Sequence, residues 1–230
     1  MMEQNSNPSV DAFNRDVREN KGYRYTTNPG LSSILANRRL TDAALAIADF
    51  RGKKVLDIGC GDGTYTLELL APGRAASVHG IDLAEEAVRL AREKAGNRPA
   101  TFAVQDMGAL PYGPGEFDIA LIRGVLHHME QPEAALGEAL RVAKTVVVIE
   151  PNGYNPVLKF LERFSRYHVE HRERSFAPAL LRRWTGRNGG RVLSGRYAGL
   201  VPFFCPDAMA RFLKAIEPLF EKIPLVNSLG

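Results

Sequence analysis

The chain has 230 residues, 45% of them apolar and 24% charged, with a net charge of +4. That length suits one large domain with a buried core and a small appendage, and it argues against a second full domain. No run reaches the ~18–20 uninterrupted apolar residues of a membrane span, and the polar start Met1 to Ser6 has no secretory core, so a cytoplasmic protein is expected.

The first thirty or so residues are polar and turn-rich, close on Asn28-Pro29-Gly30, and read as a flexible or cap-forming leader, residues 1–30. From Leu31 to Asp49, Ile34, Leu35, Leu40, Ala44, Leu45, Ile47 and Ala48 recur near helical spacing, and Arg51-Gly52 ends the helix. Five short apolar segments follow at Lys54–Ile58, Ser77–Ile81, Thr101–Gln105, Phe117–Ile122 and Thr145–Glu150. Amphipathic helices fall between them at Thr64–Leu70, Glu85–Ala95 and Pro132–Val142. This alternation predicts an α/β, doubly wound, mostly parallel sheet with helices on both faces, carried by residues 31–150. The Gly- and Pro-rich connection from Asp106 to Glu116 is too broken for a crossover helix. It can still cross two or three strands at ~4.8 Å each, which suits a link from a sheet edge back past the centre.

After Glu150 the pattern changes, and residues 151–230 read as an acceptor-side lid that also completes the sheet. Asn155-Pro156 has the form of a helix cap and first residue, with Val157, Leu158, Leu161 and Phe164 as an apolar stripe beside Lys159, Arg163 and Arg166. A late strand is expected within Arg191–Phe204, and a helix over Asp207–Glu217 interrupted by Pro218. No final strand is visible after Leu225. Charge divides unevenly: residues 1–150 carry 17 Lys+Arg against 20 Asp+Glu, a net of −3, and residues 151–230 carry 13 against 6, a net of +7. A solvated basic face is the ordinary reading of that block; steering of an acidic substrate, contact with anionic lipid and contact with nucleic acid are the alternatives.

The most informative stretch is Val55-Leu56-Asp57-Ile58-Gly59-Cys60-Gly61-Asp62-Gly63-Thr64, an apolar strand ending in a glycine-rich turn. Such glycines let the backbone turn sharply and let a ligand lie against the main chain, as in nucleotide-type cofactor sites. A dinucleotide fingerprint would want a third glycine where Thr64 stands, and no basic residue accompanies Asp57 and Asp62 within the loop. Like charges about 5 Å apart at an effective dielectric near 20 repel by roughly 3 kcal/mol, so the loop suits a ligand without phosphate. S-adenosylmethionine, with its cationic ammonium and sulfonium, fits. Asp57 is placed to bind the ammonium directly or through water, or else to brace the turn. Asp82 can take both ribose hydroxyls or cap the helix that follows. Asp106 can accept from the adenine amino group, with Met107 against the ring.

These residues, from Val55 to Glu150, resemble the class I S-adenosylmethionine-dependent methyltransferases, in the broad group with a D-x-G-C-G-x-G loop and a Leu-His-His segment. The resemblance implies a Rossmann-like sheet of order 3-2-1-4-5-7-6, of which the seventh strand is not visible here. It implies that Gly59, Cys60, Gly61, Asp82, Leu83, Asp106, Met107 and Arg123 surround the cofactor, which would leave as S-adenosylhomocysteine. The family's leader often folds over the cofactor, which makes Tyr23, Tyr25 and Arg38 candidates for closing the site.

The function implied is methyl transfer to an O, N or C atom of a small-molecule acceptor; a glycan or lipid-linked acceptor at a membrane surface and a non-catalytic cofactor-binding module are the alternatives. The family's Asn/Asp-Pro-Pro-Tyr/Phe segment is missing after the fourth strand, where Arg123-Gly124-Val125-Leu126 stands, so base-nitrogen methylation of nucleic acid is disfavoured. A general base is needed only when the acceptor must lose a proton. His127, His128 and Glu150 are the candidates, each histidine having packing or capping as its other reading. Tyr154 and Asn152 are candidates for the acceptor pocket. No metal site is expected: His168 and His171 lack a third ligand at a known spacing and read as part of an exposed basic helix. Cys60 and Cys205 read as free thiols and Trp184 as a packing anchor.

Overall fold

The computed structural model describes residues 8–71, 74–164, 174–203 and 205–221. The chain runs through α1 (Pro8–Asn20), α2 (Arg24–Thr27), α3 (Leu31–Ile47), β1 (Lys54–Ile58), α4 (Thr64–Glu68), β2 (Ser77–Asp82), α5 (Glu85–Ala95), β3 (Ala100–Val104) and β4 (Phe117–Arg123). A short 3-10 turn (Leu126–His128) leads to α6 (Pro132–Val142), β5 (Ala143–Ile149), α7 (Pro156–Phe164), α8 (Pro178–Arg187) and α9 (Asp207–Phe220).

The five strands form one parallel sheet in the order β3-β2-β1-β4-β5. In the central strand Val55, Leu56, Asp57 and Ile58 each pair with β4, at Ile119, Ala120, Leu121 and Ile122. Side chains alternate between two buried faces, which is why these strands read as continuous apolar runs. Leu56, Ile58, Ile81, Ala120 and Ile122 point to the side covered by Leu136, Ala139 and Val142 of α6. Val55, Val78, Ile119, Leu121 and Val147 point to the other, against Ala44 of α3 and Phe50. Trp184 of α8 lies in the first cluster, edge-on to Phe176 with ring centroids 5.0 Å apart.

The connection from β3 to β4 passes two strands, as its length allowed, and α6 pins it. Arg141 donates to the carbonyls of Leu110 and Tyr112, while Glu138 accepts from the Leu110 N–H. Asn155 caps α7 by accepting from the Leu158 N–H at 3.2 Å.

Four expectations need correction. The leader is helical from Pro8, because Phe13 and Val17 of α1 bury an apolar edge with Ala84 and Ala87 at the start of α5. No strand forms at 191–203: residues 191–196 are exposed and no strand of the sheet pairs with them. The helix at the end is not broken by Pro218, which lies in the last turn of α9 and so removes one hydrogen bond without interrupting the turns before it.

Finally, the described part of residues 151–230 does not complete the sheet, which ends at β5 without the sixth and seventh strands of the expected order. Instead α9 docks on α3. There Arg39 binds Glu221 through two nitrogens and lies 3.8 Å from the buried Glu217, which also accepts from the Leu200 N–H. The segment beyond Glu221, with Leu225, falls outside the described residues.

Leu56 is fully buried at the centre of the sheet. Leu56→Ala is expected to cost about 2–5 kcal/mol, read as a lower denaturation midpoint with an unchanged slope.

Candidate functional site

The loop after β1 lies at the carboxyl edge of the sheet, where open α/β sheets bind their ligands. Gly59, Gly61 and Gly63 have φ of 74°, 54° and 73°, the left-handed region that side chains avoid. The turn is drawn over β2 by the Ile81 carbonyl, which accepts from the N–H groups of Gly59 (2.8 Å) and Cys60 (2.9 Å). A Cβ on Gly61 would fall 2.8 Å from the Tyr23 ring, and one on Gly63 would fall 2.9 Å from Ala91 of α5. Only the backbone of Cys60 belongs to the loop's open side. Its thiol packs with Leu67, Val88, Ala91 and Phe102, and burial, then the charges of Asp82 and Asp57, push its pKa well up.

Asp82, ending β2, ties this loop to the next. One carboxylate oxygen accepts from the Gly61 N–H and the other from the Ala84 N–H, both at 2.9 Å. Desolvation raises its pKa against these backbone bonds. Its cap-like bond to Ala84 and its place beside the glycine loop coexist, so the two sequence readings are not exclusive. Leu83 next to it is 38% exposed and offers an apolar surface beside the carboxylate. On the neighbouring strand Val104 pairs with Asp82, and Asp106 follows two residues on, exposed, holding the Gly108 N–H at 2.8 Å. Met107 departs from expectation: its side chain is buried in the main core with Leu110, so only its backbone faces the turn.

Asp57 is enclosed rather than open to a ligand. It is 5% exposed, accepts from the Thr66 hydroxyl of α4, and feels the charge of Arg123. Burial pushes its carboxyl up to about 6, against the Thr66 hydrogen bond and the guanidinium. Asp62 differs. Burial would raise its pKa, but bonds from Lys94, Thr64 and Thr26 outweigh this and hold it below the ordinary carboxylate range. Lys94 Nζ of α5 lies 2.9 Å from Asp62. The loop therefore has a cation that its own sequence does not show, and the electrostatic case against phosphate is weaker than the local reading held.

Arg123 also departs from expectation. Its guanidinium donates to Thr41 Oγ1 (2.9 Å) and to the Asn37 carbonyl and side chain (3.0 Å each), and it lies 4.0 Å over the Tyr65 ring. It fastens α3 to the end of β4 instead of presenting its charge to a ligand. The leader closes over the loop through Tyr23, which is 4% exposed and stacks on Tyr25 with centroids 5.5 Å apart, and through Thr26, which donates to Asp62 at 2.8 Å. Tyr25 thus backs Tyr23, and its carbonyl accepts from Ser33 and Asn37. Arg38 is exposed on α3. The buried cation of that helix is its neighbour Arg39.

The histidine segment yields a pair that the separate readings did not contain. Glu150 Oε1 accepts from the N–H groups of Val125 (2.8 Å) and Leu126 (2.7 Å), and Oε2 lies 2.7 Å from His127 Nδ1. Glu150 is thereby corrected from an independent base to the group that orients His127. With Nδ1 donating to the carboxylate, Nε2 is the nitrogen of the neutral ring that can take a proton. His128 lies against His127, centroids 4.0 Å apart, and meets Phe13 of α1 edge-on at 5.1 Å. Asn152 accepts from the Tyr154 N–H in a local turn, and Tyr154 points outward, 49% exposed.

His168 and His171 lie outside the described residues. Among the described residues no group of three or more His, Cys, Asp or Glu is placed to hold a metal.

The fold and site so built, a parallel 3-2-1-4-5 sheet with a glycine loop and acidic strand ends, define a Rossmann-like α/β architecture. Residues 56–148 match the family described as the methyltransferase domain, a match consistent with the class I S-adenosylmethionine-dependent methyltransferases. A ubiquinone biosynthesis O-methyltransferase of Thiobacillus denitrificans is 36% identical over 100 residues, 42% of each chain. A fatty-acid O-methyltransferase of Mycolicibacterium smegmatis is 28% identical over 80% of this chain and 60% of its own. The chain spans between about two fifths and two thirds of the length of such curated relatives. Among solved structures, magnesium protoporphyrin IX methyltransferase of Synechocystis with bound SAH shares the fold at a TM-score of 0.63 and 21% identity, over 81% of this chain and 90% of that one.

The raised Asp57 carboxyl gives a pH signature. A bound ammonium or sulfonium favours the ionised form, so binding of S-adenosylhomocysteine or S-adenosylmethionine is expected to release a proton near pH 6 and to weaken below it. Because the folded pKa lies above the unfolded one, Asp57 favours the fold at low pH and loses that contribution as pH rises through about 6. Asp57→Asn should flatten both dependences in calorimetry and in denaturation series.

Proposed function

We propose that the protein transfers a methyl group from S-adenosylmethionine to a hydroxyl oxygen of a small-molecule acceptor. The observation that carries the oxygen assignment is the His127–Glu150 pair at the carboxyl edge of the sheet. A hydroxyl must lose its proton as it is methylated, and a histidine held in one tautomer by a buried carboxylate is suited to take it. The O-methyltransferases among the relatives support the same reading. An N or C acceptor would have less use for this pair.

The donor set fits the cofactor: glycines at which a Cβ would collide, a half-buried carboxylate at the end of β2, and an exposed leucine beside it. When bound, S-adenosylmethionine supplies a methyl group on an already activated sulfonium. Asp82 would take the ribose hydroxyls, Leu83 and the Met107 backbone the adenine ring, Asp106 its amino group, and the Gly59–Gly61 backbone the amino-acid portion. Tyr23 and Tyr25 form the roof under which water is excluded. His127 Nε2 receives the acceptor proton, and Glu150 steadies the imidazolium so formed. His128 flanks the pair and holds it against α1. Because the leaving group is activated, positioning contributes most of the rate, and the base contributes a further factor of order 10²–10⁴.

Calorimetric titration with S-adenosylmethionine is expected to show one site, and Asp82→Ala to weaken it at least tenfold with an unchanged circular dichroism spectrum. In a panel of phenolic, carboxylic and amine acceptors, labelled methyl should pass to an oxygen acceptor. His127→Ala should reduce that rate by about 10²–10⁴ with cofactor affinity kept. Transfer to amines alone, or full transfer by His127→Ala, would contradict the oxygen reading; a folded protein that takes up no cofactor would contradict the whole.

A further inference from the structure

Helix α7 turns an acid inward and leaves two aromatic rings exposed, the reverse of what those residue types ordinarily do on the surface of a soluble domain. A surface helix ordinarily puts its apolar stripe inward and its charges outward. Here Glu162 faces the protein, its side chain 13% exposed, and accepts from the Ser175 N–H at 2.7 Å. Lys159 reaches over the same strand of chain, donating to the Ser175 carbonyl at 2.8 Å and to Glu162 at 3.0 Å. These polar contacts fix the helix's rotation. Phe160 and Phe164, one turn apart, are left 61% and 65% exposed, packed on each other with centroids 4.7 Å apart. Arg163 is exposed beside them, its guanidinium 5.7 Å from the Phe164 ring. Tyr154, at the entrance to the helix, adds a third exposed aromatic ring.

The helix also stands at the mouth of the site. It begins six residues after Glu150, and the chain on which it rests is bonded to the site: the Arg174 N–H reaches the His127 carbonyl and the Gly153 N–H reaches the Phe176 carbonyl. The only acid on the helix, Glu162, is turned inward, and residues 151–230, which contain it, carry 13 Lys+Arg against 6 Asp+Glu. Exposed aromatic rings beside cations, on a region of net positive charge, match the composition of an interfacial anchor that lies in the headgroup layer of an anionic bilayer. No helix among the described residues is long and apolar enough to cross a membrane, so the contact would be peripheral.

We propose that α7 docks the protein on an anionic phospholipid bilayer, with Phe160 and Phe164 entering the headgroup layer and Arg163 facing the lipid phosphates. The contact sets the mouth of the site against the bilayer, and it holds whatever the acceptor is, since it does not rest on the proposed reaction.

The test is flotation of the whole protein with vesicles of phosphatidylcholine alone and of phosphatidylcholine with about a third phosphatidylglycerol, at low and at high salt. Binding is expected only to the anionic vesicles, and it should fall several-fold at high salt. Phe160→Ser with Phe164→Ser should weaken it at least tenfold, while S-adenosylhomocysteine binding and the circular dichroism spectrum stay as they were. Arg163→Glu, which keeps both rings, should weaken it about fivefold. No binding by the unaltered protein, equal binding to neutral vesicles, or unchanged binding by the double variant would overturn the proposal. So would sedimentation showing that the unaltered protein is a dimer that the double variant dissolves, since the rings would then serve a second copy of the chain.

Discussion

Two loops at the carboxyl edge of a parallel sheet can form one pocket only if something holds them in register, and here a single carboxylate does so. Asp82 accepts from Gly61 in the loop after β1 and from Ala84 in the loop after β2. The Ile81 carbonyl just before it takes the N–H groups of Gly59 and Cys60. Four main-chain donors that would otherwise need water are thus satisfied at one strand end. The positive φ of the glycines is the conformational condition for this arrangement, and Tyr23 of the leader packs into the space that a side chain on Gly61 would occupy.

Charge explains the rest of the site. The charge of Asp82 raises the proton affinity of Asp57, and that of Asp62 raises the proton affinity of Asp82, so three carboxylates crowd one edge of the molecule. Cations brought from distant elements offset part of that crowding: Lys94 from α5 at Asp62, and Arg123 from β4 near Asp57. The same Arg123 holds α3 through Asn37 and Thr41, and α3 in turn receives α9 through Arg39. Helix α3, the sheet and α9 therefore meet through a few buried charged side chains, and loss of one partner of such a contact is strongly destabilising.

The sheet was legible in the sequence because a strand buried on both faces must be apolar at every position, and all five apolar segments became strands within two residues of the expected limits. The glycine loop and the acids after β1, β2 and β3 were legible for a related reason, since backbone turns and strand ends leave local marks. Pairings across long separations were not. Glu150 and His127 lie 23 positions apart, and neither segment announces that the carboxylate will be filled by the Val125 and Leu126 N–H groups before it reaches the imidazole. Lys94 and Thr26 escaped notice as parts of the loop's surroundings for the same reason. The late strand at 191–203 failed because a few apolar residues among Gly190, Gly195 and Gly199 do not make an edge that the sheet can use.

Amide hydrogen exchange with and without S-adenosylhomocysteine tests most directly whether these strand ends form one cradle. Ligand-dependent slowing is expected at residues 59–63, 82–84 and 106–108 together, with the buried strands already protected in both states. Slowing confined to one of the three loops, or found only in a region away from the carboxyl edge of the sheet, would contradict a single cradle.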